Sequence, residues 1–142
     1  MNPNDLTRPA GPSQDGGVLL VDDEQALLDI YGAVLRTHFK ISTALNAAAA
    51  EQLLKEKAFK VIVADHLMPG ETGLDFLTRV RVAYPHIKRV MVTGNMTAEM
   101  LQRATQTSLL FAFLIKPISI VELRNVVQSA VLAHDTPLAA TS

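Results

Sequence analysis

Four apolar runs of strand length punctuate the chain, and each ends in polar chemistry. Val18-Leu19-Leu20-Val21 gives way to Asp22-Asp23, and Val61-Ile62-Val63-Ala64 to Asp65. Val90-Met91-Val92 gives way to Thr93-Gly94, and Phe111-Ala112-Phe113-Leu114-Ile115 to Lys116-Pro117. Between the runs, apolar positions recur every three to four residues, the spacing of amphipathic helices. Strand-length runs alternating with such stretches predict an α/β domain, a parallel sheet flanked by helices. The pattern reads as five strand–helix repeats, the weakest strand included.

The first strand is predicted over 17–21, followed by a helix with Leu27, Ile30, Tyr31 and Val34 on one face. A weak second strand lies within His38–Ala44, partly alternating as an edge strand would, and Asn46 is placed to cap a helix over 47–57. The third strand, 60–65, leads to a helix with Leu74, Leu77, Val80 or Arg81, and Tyr84 on one face, stopped by Pro85. Strand four is expected over 87–93 and a short helix over 97–107, with Met96, Met100 and Leu101 close together. Strand five is expected over 109–115. Ser119-x-x-Glu122 reads as a capping box opening the last helix, with Leu123, Val126, Val127 and Ala130 inward. Residues 1–16, rich in Pro, Gly, Asn and Asp, and residues 134–142 read as tails around one folded unit, 17–133.

Composition narrows the function. A chain of 142 residues suits one domain with an adequate core. Without cysteine, disulfides and thiolate metal sites are excluded and a reducing, cytoplasmic setting is expected. A formal charge of -1 argues against a broad nucleic-acid or anionic-membrane footprint, which leaves a protein partner. No apolar stretch approaches the roughly 20 residues that span a bilayer, and the first residues lack the pattern of a signal peptide.

In an open parallel sheet, ligands sit beyond the C-terminal strand ends, where the winding reverses. Asp22, Asp23, Asp65, Thr93 and Lys116 would all reach that rim. Crowded carboxylates raise one another's pKa unless a cation lies among them. With only hard oxygen ligands available, Mg2+ is the favoured metal. Lysine and threonine supply the point charge and hydroxyl donor that a phosphoryl group needs, and Gly94 leaves room for it. Asp65, alone at its strand end, is the candidate nucleophile toward phosphorus. The Asp22-Asp23 pair suits metal holding.

Asp22-Asp23-Glu24, Asp65-x-x-Met68-Pro69-Gly70 with Gly73 soon after, Thr93-Gly94 and Phe113-Leu114-Ile115-Lys116-Pro117 together resemble the receiver domain of two-component response regulators, of the chemotaxis-regulator kind. Each motif alone is weak, but the set in this order is specific. The resemblance implies a flavodoxin-like doubly wound sheet of strand order 2-1-3-4-5 with five helices. It implies that Asp65 accepts a phosphoryl group from a histidine kinase or phosphotransfer protein. Mg2+ would be held by Asp22, Asp23, Asp65 and the backbone carbonyl of Leu67, with Thr93 and Lys116 on the phosphoryl oxygens. It further implies a switch coupling Thr93 to Phe113 and remodelling the face of helix four, strand five and helix five for an output partner or a homodimer. Leu67 and Asn95 fall where side chains influence the lifetime of the phosphorylated form. The Lys116-Pro117 bond is similar to one that is cis in the family.

Blander readings stand beside these. Asp22 and Asp23 alone would be read as helix caps, Thr93 as a strand end, and Phe113 equally as a core aromatic or a switch. His66 reads as a solvated loop residue, and His38, His86 and His134 as scattered. The primary reading is a signalling switch that catalyses only its own phosphorylation and dephosphorylation, either as a single-domain regulator or as the receiver of a longer protein. One competing hypothesis is a phosphatase or phosphotransferase with an aspartyl nucleophile, disfavoured because Leu67 stands where such enzymes place a second acid. The other is a degenerate receiver that only binds.

Overall fold

A computed structural model describes residues 17–106 and 108–136. The expected tails 1–16 and 137–142 therefore lie outside the described residues. Strands β1 (Gly17–Val21), β2 (Ile41–Ala44), β3 (Phe59–Asp65), β4 (Lys88–Thr93) and β5 (Ala112–Ile115) alternate with helices α1 (Gln25–Leu35), α2 (Ala47–Glu56), α3 (Gly73–Ala83), α4 (Ala98–Gln106) and α5 (Ile120–Asp135). The strands form one parallel sheet of order β2-β1-β3-β4-β5, the doubly wound flavodoxin-like arrangement. Its winding reverses between β1 and β3.

Side chains of a strand alternate between faces, so each buried run feeds two cores. Leu19, Val21, Ile62, Ala64 and Met91 point to one side, where Ala50 and Leu54 of α2 and Leu74, Leu77 and Val80 of α3 cover them. Val18, Leu20, Val61, Val63, Val90, Val92 and Leu114 point to the other, against Leu28 and Leu35 of α1 and Leu123, Val127 and Ala130 of α5. Three helices carry side-chain caps, two of them, Asn46 and Ser119, as the sequence suggests. Asn46 accepts from the Ala49 N–H, Thr72 from Asp75 and Ser119 from Glu122. The Lys116–Pro117 bond is cis.

Four sequence expectations shift. The buried stripe of α1 is Leu28, Gly32 and Leu35, while Ile30 is 50 % exposed; the helix is rotated so that Tyr31, not Ile30, borders the core against α5. Strand β2 starts at Ile41 because the N–H groups of His38 and Phe39 are both taken by Leu35 O in the turn that ends α1. Strand β5 starts at Ala112 because Leu109 belongs to the turn after α4. Its N–H reaches Ala104 O, Ser108 before it has φ 51°, and its side chain is buried. Helix α5 runs through His134 to Asp135, where Lys60 of β3 pairs with the Asp135 carboxylate at 2.9 Å.

Candidate functional site at the carboxyl rim of the sheet

Strand register assembles the rim. Val21 is level with Ala64, so Asp22 emerges next to Asp65. Asp65 is itself level with Val92, which puts Thr93 one step further along β4. Thr93 is level with Ile115, and Lys116 follows. Residues far apart in the chain thus meet because four parallel strands end together. The rim is tied by backbone bonds from His66 N to Val92 O and from Lys116 N to Thr93 O, each 2.8 Å.

Carboxylate oxygens of Asp22, Asp23 and Asp65 lie within 4.8 Å of one another, the one such acidic or metal-ligating trio among the described residues. Asp22 and Asp65 are buried and Asp23 is exposed. Lys116 Nζ lies 2.7 Å from Asp65 Oδ1 and 3.8 Å from Asp22 Oδ2. Burial pushes the Asp22 carboxyl up to about 6, helped by the charges of Asp65 and Asp23 and opposed by the Glu24 N–H, which donates to Asp22 Oδ1 at 2.9 Å, and by Lys116. Burial alone would lower the pKa of Lys116, but the hydrogen bond and charge of Asp65, with Asp22 and Glu24, hold it above its ordinary value. Two largely buried acids beside one ammonium form a cation-seeking site. All its donors are oxygens, which fit a hard divalent ion.

The Thr93 side chain is buried, and its hydroxyl donates to Asn95 O at 3.0 Å while accepting from Asn95 N at 3.2 Å. A Cβ on Gly94 would meet nothing within 4 Å, so the space beside Thr93 is open, as a small residue there suggested. Leu67 projects from the rim with 71 % exposure. Phe113, on the outer strand β5, is 39 % exposed. That outward position rules out the plain core reading of its ring.

Sequence reasoning assigned no packing role to three residues, Gly73, His66 and Arg89. Gly73 admits no side chain, since a Cβ would run into the backbone of Asp65 and His66. Its N–H donates to His66 O at 2.7 Å, so the start of α3 is pressed directly onto the peptide that carries Asp65. His66 is half-buried, not solvated, and its Nδ1 accepts from the Leu74 N–H at 3.3 Å. Arg89 is buried at the start of β4. Its Nε donates to Leu109 O at 2.6 Å and its Nη1 to Ile87 O at 2.8 Å and, at 3.4 Å, to Pro85 O. Arg89 shares a face of β4 with the buried Met91, two residues on. The histidines are also less scattered than the sequence suggests, since the His86 and His134 rings lie 6.1 Å apart.

The doubly wound sheet with an acidic trio, a threonine and a lysine at its carboxyl rim defines a phosphoacceptor-type signalling domain. Residues 18–128 match the family model of the response regulator receiver domain, and the chain belongs to that family. The hydrogenase transcriptional regulatory protein HoxA of Cupriavidus necator is 33 % identical over 100 residues, 70 % of this chain but 21 % of that protein. The alginate biosynthesis transcriptional regulatory protein AlgB of Pseudomonas aeruginosa is 33 % identical over 112 residues, 78 % of this chain and 25 % of its own length. The chain thus spans about a fifth to a quarter of these curated relatives. A CheY-like receiver domain from Methanospirillum hungatei superposes with a TM-score of 0.79 at 21 % identity, covering 84 % of this chain and 96 % of that one. The protein is therefore a receiver domain of the two-component response regulators, a family of signalling domains that work with histidine kinases and output domains and bind Mg2+ at an acidic cluster. No helix among the described residues is long and apolar enough to cross a membrane.

Proposed function

We propose that Asp65 is the phosphoacceptor, and the observation that carries this is its position in the trio. It is buried, it is the last residue of β3, and Lys116 holds one of its oxygens at 2.7 Å. Asp22, Asp23, Asp65 and the Leu67 carbonyl would hold Mg2+, which neutralises charge on the transferred phosphoryl group. An Asp65 oxygen attacks the phosphorus of a phosphohistidine on a histidine kinase or phosphotransfer protein. The N–P bond breaks as the O–P bond forms, and the departing imidazole takes up a proton. Lys116 turns from the carboxylate to a phosphoryl oxygen. The Thr93 hydroxyl leaves the Asn95 carbonyl and turns into the open space beside Gly94 to donate to another.

Thr93 and Phe113 then act as the two ends of a switch. As the hydroxyl is drawn toward the rim, the half-exposed Phe113 ring follows it inward, and the face of α4, β5 and α5 is remodelled for an output partner or a second copy of the chain. The new group adds about -1.5 to -2 charge at neutral pH, enough to bias such a two-state element. Catalysis is confined to the chain's own phosphorylation and dephosphorylation, in the cytoplasm. Leu67 and Asn95 set how long the phosphoryl group survives. Because the relatives named above are transcriptional regulators, a transcriptional output is the first to test.

The test is incubation with acetyl phosphate, with Mg2+ or with a chelator in its place, followed by intact mass measurement. One phosphoryl group is expected with Mg2+, and none after Asp65→Asn or with the chelator. Undiminished labelling of Asp65→Asn overturns the assignment.

A further inference from the structure

His86, in the loop between α3 and β4, and His134, in the last turn of α5, face each other with ring centroids 6.1 Å apart and planes tilted by 56°. His134 Nδ1 lies 3.0 Å from Asp135 Oδ1, while Asp135 Oδ2 is held by Lys60 Nζ at 2.9 Å. Both Asp135 oxygens are thus engaged, one by His134 and the other by the Lys60 ammonium. With Nδ1–H donating to this carboxylate, the neutral form of the imidazole carries its lone pair on Nε2. An imidazole oriented by a carboxylate at one nitrogen and open at the other is the arrangement of metal-binding histidines.

We propose that His86 and His134 form a second metal site, for a borderline divalent cation of the Zn2+ or Ni2+ type, with Asp135 as the positioning residue and water completing the coordination. A Zn–N distance of about 2.0–2.1 Å places each ring centroid about 3.2 Å from the ion, so two imidazoles at a tetrahedral angle stand about 5.2 Å apart. The observed pair lies within about 1 Å of that spacing, a gap that side-chain rotation of the exposed His86 closes. Its exposure also gives the ion a path of entry.

This site is separate from the acidic rim in place and in chemistry. It lies at the amino ends of the strands, where Lys60 stands five positions before Asp65, about 16 Å away along β3. Imidazole ligands select Zn2+, Ni2+ or Cu2+, whereas the rim offers oxygen to a hard ion. Occupancy would fasten the last turn of α5 to the α3–β4 loop, reinforcing the Lys60–Asp135 pair.

Titration calorimetry of the full chain with ZnCl2, and separately NiCl2, in a non-coordinating buffer with excess Mg2+ tests the proposal. One ion per chain is expected. His86→Ala and His134→Ala should each weaken binding more than tenfold, and Asp135→Asn by about 10–100-fold, whereas His38→Ala and Asp65→Asn should leave it unchanged. Thermal melts without Zn2+ verify that each variant is folded. Wild-type protein that takes up no Zn2+, or uptake indifferent to both histidine substitutions, overturns the site.

Discussion

The Lys116 ammonium lies 2.7 Å from Asp65 Oδ1 and only 3.8 Å from Asp22 Oδ2, so one cation serves two buried carboxylates. That sharing explains how the rim holds an acidic cluster before any metal arrives, and it marks which acid is left least compensated. Asp65 takes the short contact. Asp22 is left with the Glu24 N–H, the more distant lysine and a raised pKa.

The first prediction concerns the pH dependence of the metal-free protein. The ordinary Asp pKa is 3.8 and burial raises that of Asp22 to about 6, so the folded state binds this proton more tightly than the unfolded chain. Stability is therefore lost as pH rises from about 4 to 6, by about 3 kcal/mol at most. In chelator, Asp22→Asn should be more stable than wild type near pH 7.5, with the gap closing toward pH 4 in denaturant titrations. Added Mg2+ should stabilise the wild type through mass action and have little effect on Asp22→Asn. A stability difference between wild type and Asp22→Asn that does not change between pH 4 and pH 7.5 would contradict the assignment of that cost.

Gly73 is the second test, because packing and chemistry meet there. Any Cβ at this position collides with the Asp65–His66 backbone. Gly73→Ala should cost about 1–3 kcal/mol as an overpacking change, and should slow acetyl-phosphate labelling by displacing Asp65. Gly94→Ala, whose Cβ meets nothing, should leave stability nearly unchanged. Equal stability of Gly73→Ala and wild type would argue against the contact.

How much of this was legible in advance depends on which force set each feature. The sheet and its rim were readable because buried parallel strands are continuous apolar runs, and because polar residues at their ends must converge wherever the strands end. Helix caps were readable for the same reason, since Asn46 and Ser119 act on neighbours three residues away. What resisted reading depends on distant partners. The face of α1 is set by its packing against α5, so periodicity alone turned it toward Ile30. The place of Leu109 depends on Ala104 O and on Arg89, and a strand-like composition concealed that turn. The meeting of His86 and His134 follows from where α5 ends, which the polar composition after Ala133 obscured.

Arg89 supplies the third prediction. Burial holds its pKa below the ordinary value, and its guanidinium is spent on backbone carbonyls on both sides of β4. Arg89→Met should leave those carbonyls without their donor and cost about 2–4 kcal/mol. Amide exchange should quicken most over residues 108–112, next to the released Leu109 carbonyl. Exchange that quickens uniformly, or not at all, would show that Arg89 does not hold this turn.

The fourth prediction addresses lifetime. Leu67 stands exposed at the rim and cannot hydrogen-bond to an attacking water. Leu67→Asn should shorten the half-life of the phosphorylated form, and Asn95→Ala should lengthen it, followed by loss of the label after donor removal. An unchanged half-life in both variants would place hydrolysis outside these two side chains.

The most direct test of the account locates the phosphoryl group itself. After treatment with acetyl phosphate and Mg2+, borohydride reduction converts a phosphorylated aspartate to homoserine, and tryptic cleavage after Lys60 and Arg79 yields a peptide whose aspartates are Asp65 and Asp75. The account predicts homoserine at position 65 alone. Homoserine at 22, 23 or 75, or aspartate retained at every position, would contradict it.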